Sequence, residues 1–129
     1  MKLGIIGLGQ IGEYYVRDFN KIGVKTIVSK NSTYKSTKNK NDYIYKKYKI
    51  KIYSVNNFND FFKKDFDTLL ICSPNHLHYQ HVLYGMKYKK NIIIEKPIIS
   101  LKKNKDYNHA MIKLNNIINY NKLVNYSLI

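Results

Sequence analysis

Residues 2–12 read KLGIIGLGQIG, an apolar run of strand length that breaks into Gly7-Leu8-Gly9-Gln10-Ile11-Gly12 and passes into an amphipathic segment. A G-x-G-x-x-G placed between a strand and a helix gives each glycine its own task. Gly7 permits the tight turn off the strand, Gly9 lets a pyrophosphate approach the backbone, and Gly12 allows helix and strand to pack closely. The phosphate charge would rest against free N–H groups at the helix start, around Gln10 and Ile11, where the macrodipole is positive. Glycine turns also serve purely structural ends. The strand residues Leu3, Ile5 and Ile6 before this one, and the helical pattern after it, favour a dinucleotide site.

Outward from that turn, strand and helix patterns alternate. Ile11, Tyr15, Phe19 and Ile22 recur at helical spacing, with Glu13, Arg17, Asp18 and Lys21 on other faces and Gly23 as a stop. Residues 24–29, VKTIVS, read as a β-branched strand. Residues 30–41, KNSTYKSTKNKN, show no apolar period and predict a mobile polar loop, followed by a short helix over 42–49. Residues 50–55 predict a strand, and 56–64 a short helix whose Phe58, Phe61 and Phe62 pack in the core. The continuous apolar runs DTLLICS (67–73) and NIIIE (91–95) suit parallel strands covered on both faces, and Pro74 and Pro97 stop them. Between them, 76–90 predicts a helix capped by Asn75. A long amphipathic helix is expected from Ser100, carrying Tyr107, Ala110, Met111, Leu114, Ile117 and Ile118, with a last strand over 123–129. The alternation predicts an α/β fold. It is a doubly wound parallel sheet in three αβα layers, one dinucleotide-binding domain over 1–129.

Composition excludes several classes. A lone Cys72 cannot pair within the chain, no signal peptide opens it, and no apolar run approaches the ~20 residues of a membrane span, so a cytoplasmic protein is expected. The net charge of +15 invites a nucleic-acid reading, yet only Arg17 of the 23 basic residues is arginine. The lysines are scattered among abundant Asn, Ile and Tyr, as A+T-rich coding produces, and a phosphate-reading surface would enrich arginine. No specific nucleic-acid partner is expected. His76, His78 and His81 lack a nearby carboxylate and the spacing to converge, so no metal site is expected either.

Three constellations carry chemistry. The carboxylate that would hold an adenosine ribose belongs about 20 residues past the glycines. That place holds Ser29-Lys30-Asn31, and no Asp or Glu lies between Asp18 and Asp42. Serine and lysine favour a 2'-phosphate, so NADP(H) is expected over the alternative NAD(H), with Ser29 and Lys30 at that phosphate. A lysine-rich composition could also have put Lys30 there by chance. Cys72-Ser73-Pro74-Asn75-His76-Leu77-His78 forms the second constellation, with residues 73–76 at a strand's carboxyl end where ligands of doubly wound sheets sit. The third is Glu95-Lys96-Pro97, where a lysine at a strand end can bond a substrate hydroxyl and relay its proton as hydride leaves the carbon.

Together GIIGLGQIG, CSPNHLHYQHV and NIIIEKPIISL resemble the N-terminal domain of the Gfo/Idh/MocA oxidoreductases over nearly the whole chain. The resemblance implies a Rossmann domain binding NAD(P). Gly7, Gly9 and Gly12 would meet the pyrophosphate, Pro74, Asn75 and His78 would line the cofactor cleft, and Glu95 and Lys96 would lie near the nicotinamide, with Lys96 catalytic. Substrates of the family are mostly sugars, sugar nucleotides and polyols. Its members continue into a second α/β domain that supplies substrate contacts and an oligomer interface. The chain ends where that domain would begin, so a truncated protein, one half of a split gene with a partner protein supplying the rest, or a nucleotide-binding regulatory module without turnover are all expected alternatives.

Overall fold

Alternation of buried apolar strands with amphipathic helices builds one six-stranded sheet in the computed structural model, which describes residues 1–100, 107–120 and 123–125. In chain order the elements are β1 (Lys2–Ile6), α1 (Gln10–Lys21), β2 (Lys25–Lys30), α2 (Tyr34–Tyr48), β3 (Tyr53–Ser54), α3 (Phe58–Phe62), β4 (Thr68–Ile71), a 3-10 turn (Asn75–Leu77), α4 (His78–Lys87), β5 (Asn91–Ile94), α5 (Tyr107–Ile118) and β6 (Leu123–Asn125). All pairings are parallel, in the order β3-β2-β1-β4-β5-β6. The chain therefore winds outward from β1 in one direction and from β4 in the other. The crevice between those two strands is where such sheets take ligands.

The strands β1, β4 and β5 divide their side chains between two cores. Leu3 and Ile5 of β1, Leu70 of β4 and Ile93 of β5 pack with Tyr15 and Val16 of α1 and Ile44 of α2. Ile6, Leu69, Ile71, Ile92 and Ile94 face the other way, onto Phe61 and Phe62 of α3, Val82 of α4 and Ile117 of α5. The central strands lack the polar alternation of a one-sided sheet because both faces are covered.

The polar tract is where the structure departs from expectation. Residues 34–48 form α2, not a loop followed by a short helix. Thr33 caps it, its hydroxyl accepting from Ser36 N, and Lys49 ends it in the left-handed region with φ 61°. Its sheet-facing residues are Thr37, Asn41 and Ile44, at helical spacing but mostly polar, so apolar periodicity does not reveal them. The polar groups are satisfied in place. Thr37 Oγ1 accepts from Asn31 N, and Asn41 accepts from Ser29 Oγ and donates to Ser54 Oγ.

Helix α2 also covers Glu13, a residue the helical pattern assigns to a solvent face. It is only 6% exposed, while Ile11 and Ile22, assigned to the core, are exposed. Lys40 and Lys47 donate to its carboxylate at 2.8 and 3.0 Å, and Tyr48 at 2.8 Å. Burial alone would raise the carboxyl's pKa; the lysine and tyrosine hydrogen bonds outweigh it and hold it at about 2. Elsewhere the differences are smaller. The third strand shrinks to Tyr53–Ser54, and Asn75 opens a 3-10 turn with no side-chain cap. The path from Ser100 into α5, and residues 126–129 of the expected last strand, lie outside the described residues.

Glu13→Gln should therefore lower stability by roughly 2 kcal/mol, the cost of uncoupling a buried hydrogen-bonded charge. Because the folded pKa lies below the ordinary 4.5, this stabilisation is complete above that value and is lost as pH falls toward about 2. Urea denaturation at pH 6 and pH 3 should show the gap between wild type and variant narrowing at the lower pH.

Candidate dinucleotide site

At the carboxyl edge of the sheet, four strand ends are tied together. Gly7 N donates to Lys30 O, Cys72 N to Ile6 O and Glu95 N to Ile71 O, at 2.9–3.1 Å. The segments after β1, β2, β4 and β5 are thereby brought to one rim. Between the first three lies a cleft of about 660 Å³, lined among others by Gly7, Gly9, Lys30, Phe58, Ser73 and Pro74.

The glycine turn has the geometry its sequence implies. Gly7 has φ +90°, and a Cβ there would lie 2.4 Å from Ser73 N, so neither its conformation nor its surroundings admit a side chain. A Cβ on Gly12 would lie 2.7 Å from Gly7 O, which accounts for the close seating of α1. Gly9 is different: nothing lies within 4 Å of where its Cβ would be. Packing gives no reason for its lack of a side chain, whereas a ligand approaching from the cleft does. Gly9 is also the N-cap of α1 and makes no side-chain cap, which leaves the N–H groups beginning at Gln10 and Ile11 directed outward. A dinucleotide's pyrophosphate fits this cradle.

A residue outside the expected set braces the turn. Asn31 Oδ1 accepts from Leu8 N at 2.7 Å, linking the loop after β2 to the middle of the glycine motif. Asn31 borders the expected ribose position, but its contact with Leu8 needs the β1–β2 register to be seen.

Lys30 lines the cleft, 8% exposed, its Nζ 3.0 Å from Asn31 O and 5.0 Å from the centre of the Phe58 ring. Burial lowers its pKa from the ordinary lysine value. Ser29 does not join it. It has no exposed surface, and its hydroxyl donates to Asn41 on the α2 side, because alternate residues of a strand face opposite ways. The expected contact between Ser29 and a 2'-phosphate is corrected accordingly.

After β4, Ser73 and Pro74 reach the cleft, joined by Leu77, Gln80 and His81. Ser73 Oγ lies 2.7 Å from His81 Nδ1. Burial, with the charges of His78 and Lys30 nearby, lowers the His81 pKa to about 4. Phe58, read as core, stacks on Tyr84 and forms part of the cleft wall. Asn75 is exposed and His78 is 1% exposed, and neither belongs to the lining. His78 Nδ1 and Nε2 each lie 2.7 Å from a backbone carbonyl, those of Pro97 and Ser73, so its ring joins two loops and does not face a ligand. Its expected place along the cleft is corrected too.

Glu95 and Lys96 stand at the next strand end, beyond that lining. Lys96 is exposed, and the half-buried Glu95 accepts a hydrogen bond from the Tyr15 hydroxyl of α1. Burial and the Glu95 carboxylate push the Tyr15 pKa up. Burial does the same to the Cys72 thiol, also beside Glu95. Among the described residues no three His, Cys, Asp or Glu side chains are placed to hold a metal ion, and no helix is long and apolar enough to cross a membrane.

This is the sheet order, switch point and glycine cradle of a dinucleotide-binding Rossmann domain. Residues 1–122 match the family model described as the Gfo/Idh/MocA oxidoreductase family, NAD-binding Rossmann fold, and the chain belongs to that family. Among solved structures, myo-inositol 2-dehydrogenase from Lactobacillus plantarum superposes with a TM-score of 0.72 at 23% identity, over 99% of this chain and 36% of that one. Myo-inositol dehydrogenase from Lactobacillus casei, in complex with NAD(H) and myo-inositol, gives 0.73 at 15% identity, over 97% and 36%. Biliverdin reductase from Synechocystis, with biliverdin and NADP+, gives 0.71 at 13% identity, over 96% and 36%. The chain thus spans about a third of each of these relatives.

Gly7→Ala should cost more than about 3 kcal/mol, since it combines a strained φ with a backbone clash, whereas Gly9→Ala should change stability by less than about 0.5 kcal/mol. Thermal or urea denaturation of the two variants checks the contrast.

Proposed function

We propose that the chain binds NADP(H) in this cleft as the cofactor domain of an oxidoreductase acting on a sugar-like or polyol hydroxyl or carbonyl. The observation that carries the reading is Gly9: an open, side-chain-free position at a helix start, on the rim of a cleft at the sheet's switch point. Gly7 and Gly12 shape that cradle, and the N–H groups at Gln10 and Ile11 take the pyrophosphate. NADP(H) is preferred to NAD(H) because Lys30 borders the cleft and the segment after β2 carries no carboxylate. A buried, partly desolvated ammonium gains from an anionic partner, and the 2'-phosphate supplies one. Ser73 and Pro74 form the opposite wall.

When bound, the nicotinamide supplies the hydride acceptor or donor. Lys96, at the end of β5, is the group to which we assign the substrate's hydroxyl proton: in oxidation its neutral amine would accept that proton as hydride leaves the carbon, and in reduction its ammonium would donate a proton to the carbonyl oxygen. The sugar-like substrate class rests on the family and on the inositol dehydrogenases the fold resembles. A cytoplasmic setting suits the lone thiol of Cys72. A second reading, a nucleotide-binding module without turnover of its own, is favoured by the exposure of Lys96.

Fluorescence titration should show NADPH binding at least about tenfold tighter than NADH, a difference near 1.4 kcal/mol. Lys30→Asp should reverse the order, and Gly9→Ala should weaken both. Equal affinity of wild type for the two cofactors would remove the NADP(H) assignment, and no binding of either would remove the reading altogether. If the protein oxidises a polyol, Lys96→Ala should abolish turnover while leaving the affinity for 2',5'-ADP, which lacks the nicotinamide half, within about threefold.

A further inference from the structure

The Glu95-Lys96-Pro97 loop is gripped from both helical layers. From one side the Tyr15 hydroxyl of α1 donates to the Glu95 carboxylate. From the other, the first residue of α4, His78, places Nδ1 2.7 Å from Pro97 O and Nε2 2.7 Å from Ser73 O. A carbonyl only accepts, so the ring must donate: the neutral imidazole, with one N–H, bonds one of the two carbonyls at a time, and only the imidazolium bonds both at once. These contacts fall on the two residues that flank Lys96. Tyr15 is 6% exposed and His78 1%, and they reach the loop through opposite faces of the sheet, over sequence separations of 80 and 19 residues.

The geometry points to Tyr15 and His78 as a pair of positioning residues that set the backbone on which Lys96 is carried. This inference rests on the dinucleotide reading, in which Lys96 serves the nicotinamide end. Lys96 is exposed, and a long lysine side chain has many rotamers to lose on forming a productive contact. Fixing its backbone removes part of that freedom before a ligand arrives. Lying 2.7 Å from both Pro97 O and Ser73 O, the His78 ring also spans the loops after β5 and β4. The two halves of the rim thus keep one spacing.

The dinucleotide's two ends separate this role from simple loss of stability. Tyr15→Phe keeps the ring and removes the hydroxyl; His78→Asn removes the bridge. In each, NADPH should bind about 5- to 10-fold more weakly, the size of one hydrogen bond to a charged or buried group, while 2',5'-ADP, which lacks the nicotinamide half, should bind within about twofold of wild type. Without any ligand, amide hydrogen exchange in the peptide spanning 95–100 should rise about tenfold in both variants, with β1 and β4 unchanged. Parallel loss of both nucleotides, or exchange at 95–100 equal to wild type, would overturn the assignment. If wild type binds neither nucleotide, the dinucleotide reading fails on its own, and the exchange measurement alone decides the clamp. Should His78→Asn not fold, Tyr15→Phe carries the test.

Discussion

The structure depends on one close approach, that of the turn after β1 to the backbone after β4. Gly7 sits at φ +90° where a Cβ would meet Ser73 N at 2.4 Å, and Gly7 N donates to Lys30 O on the other side. A single residue without a side chain therefore sets the spacing between β1, β2 and β4 at their carboxyl ends. Everything at the rim follows from that spacing. Gly12 seats α1 against the turn, α1 directs its N-terminus at the cleft, and Ser73 and Lys30 face each other across it. A side chain at Gly7 would widen the rim and separate the walls that give the cleft its shape.

The second organising feature is polar. α2 meets the sheet through Thr37, Asn41 and Ile44, and its other contact is with α1 through Glu13. Helix stability in proteins comes mainly from tertiary contact, not intrinsic propensity. Here that contact is a hydrogen-bonded lattice of Ser29, Asn41, Ser54 and Thr37, plus a carboxylate between two lysines. Such an interface leaves little apolar trace before Ile44, so a reading based on hydrophobic period finds only the last turns of the helix and not its start. The same miss explains two others. With residues 34–41 of α2 read as a loop, Glu13 reads as exposed and Ser29 as free to reach a ligand, when each is partnered by that helix.

Legibility of the site followed the same division. The glycine turn, Lys30, Ser73 and Pro74, which line one cleft, were readable as strand-terminal residues because strand termini are marked by glycine, proline or a change of polarity; Glu95-Lys96-Pro97 was readable as a strand end in the same way but lies beyond that lining. Asn31, Tyr15, Phe58 and His81 were not, because their roles depend on partners distant in the chain. Tyr15 carries the apolar face of α1 in any periodic reading, and only the arrival of β5 beside it turns its hydroxyl toward Glu95. His78 erred in the opposite sense. Its motif placed it near the rim, but its ring is spent on two carbonyls.

By itself, the sequence determined the class of fold, the family and the strand ends that gather at the candidate site, since these rest on local pattern: apolar runs of strand length, helical period and a glycine spacing with one steric meaning. Only the tertiary structure decided which of those residues share a cleft, which are buried in bridging the layers, and that a lysine- and asparagine-rich tract is a helix. The reason is physical. Strand direction, side-chain face and the satisfaction of buried polar groups are properties of pairs of segments, and a single segment does not carry them.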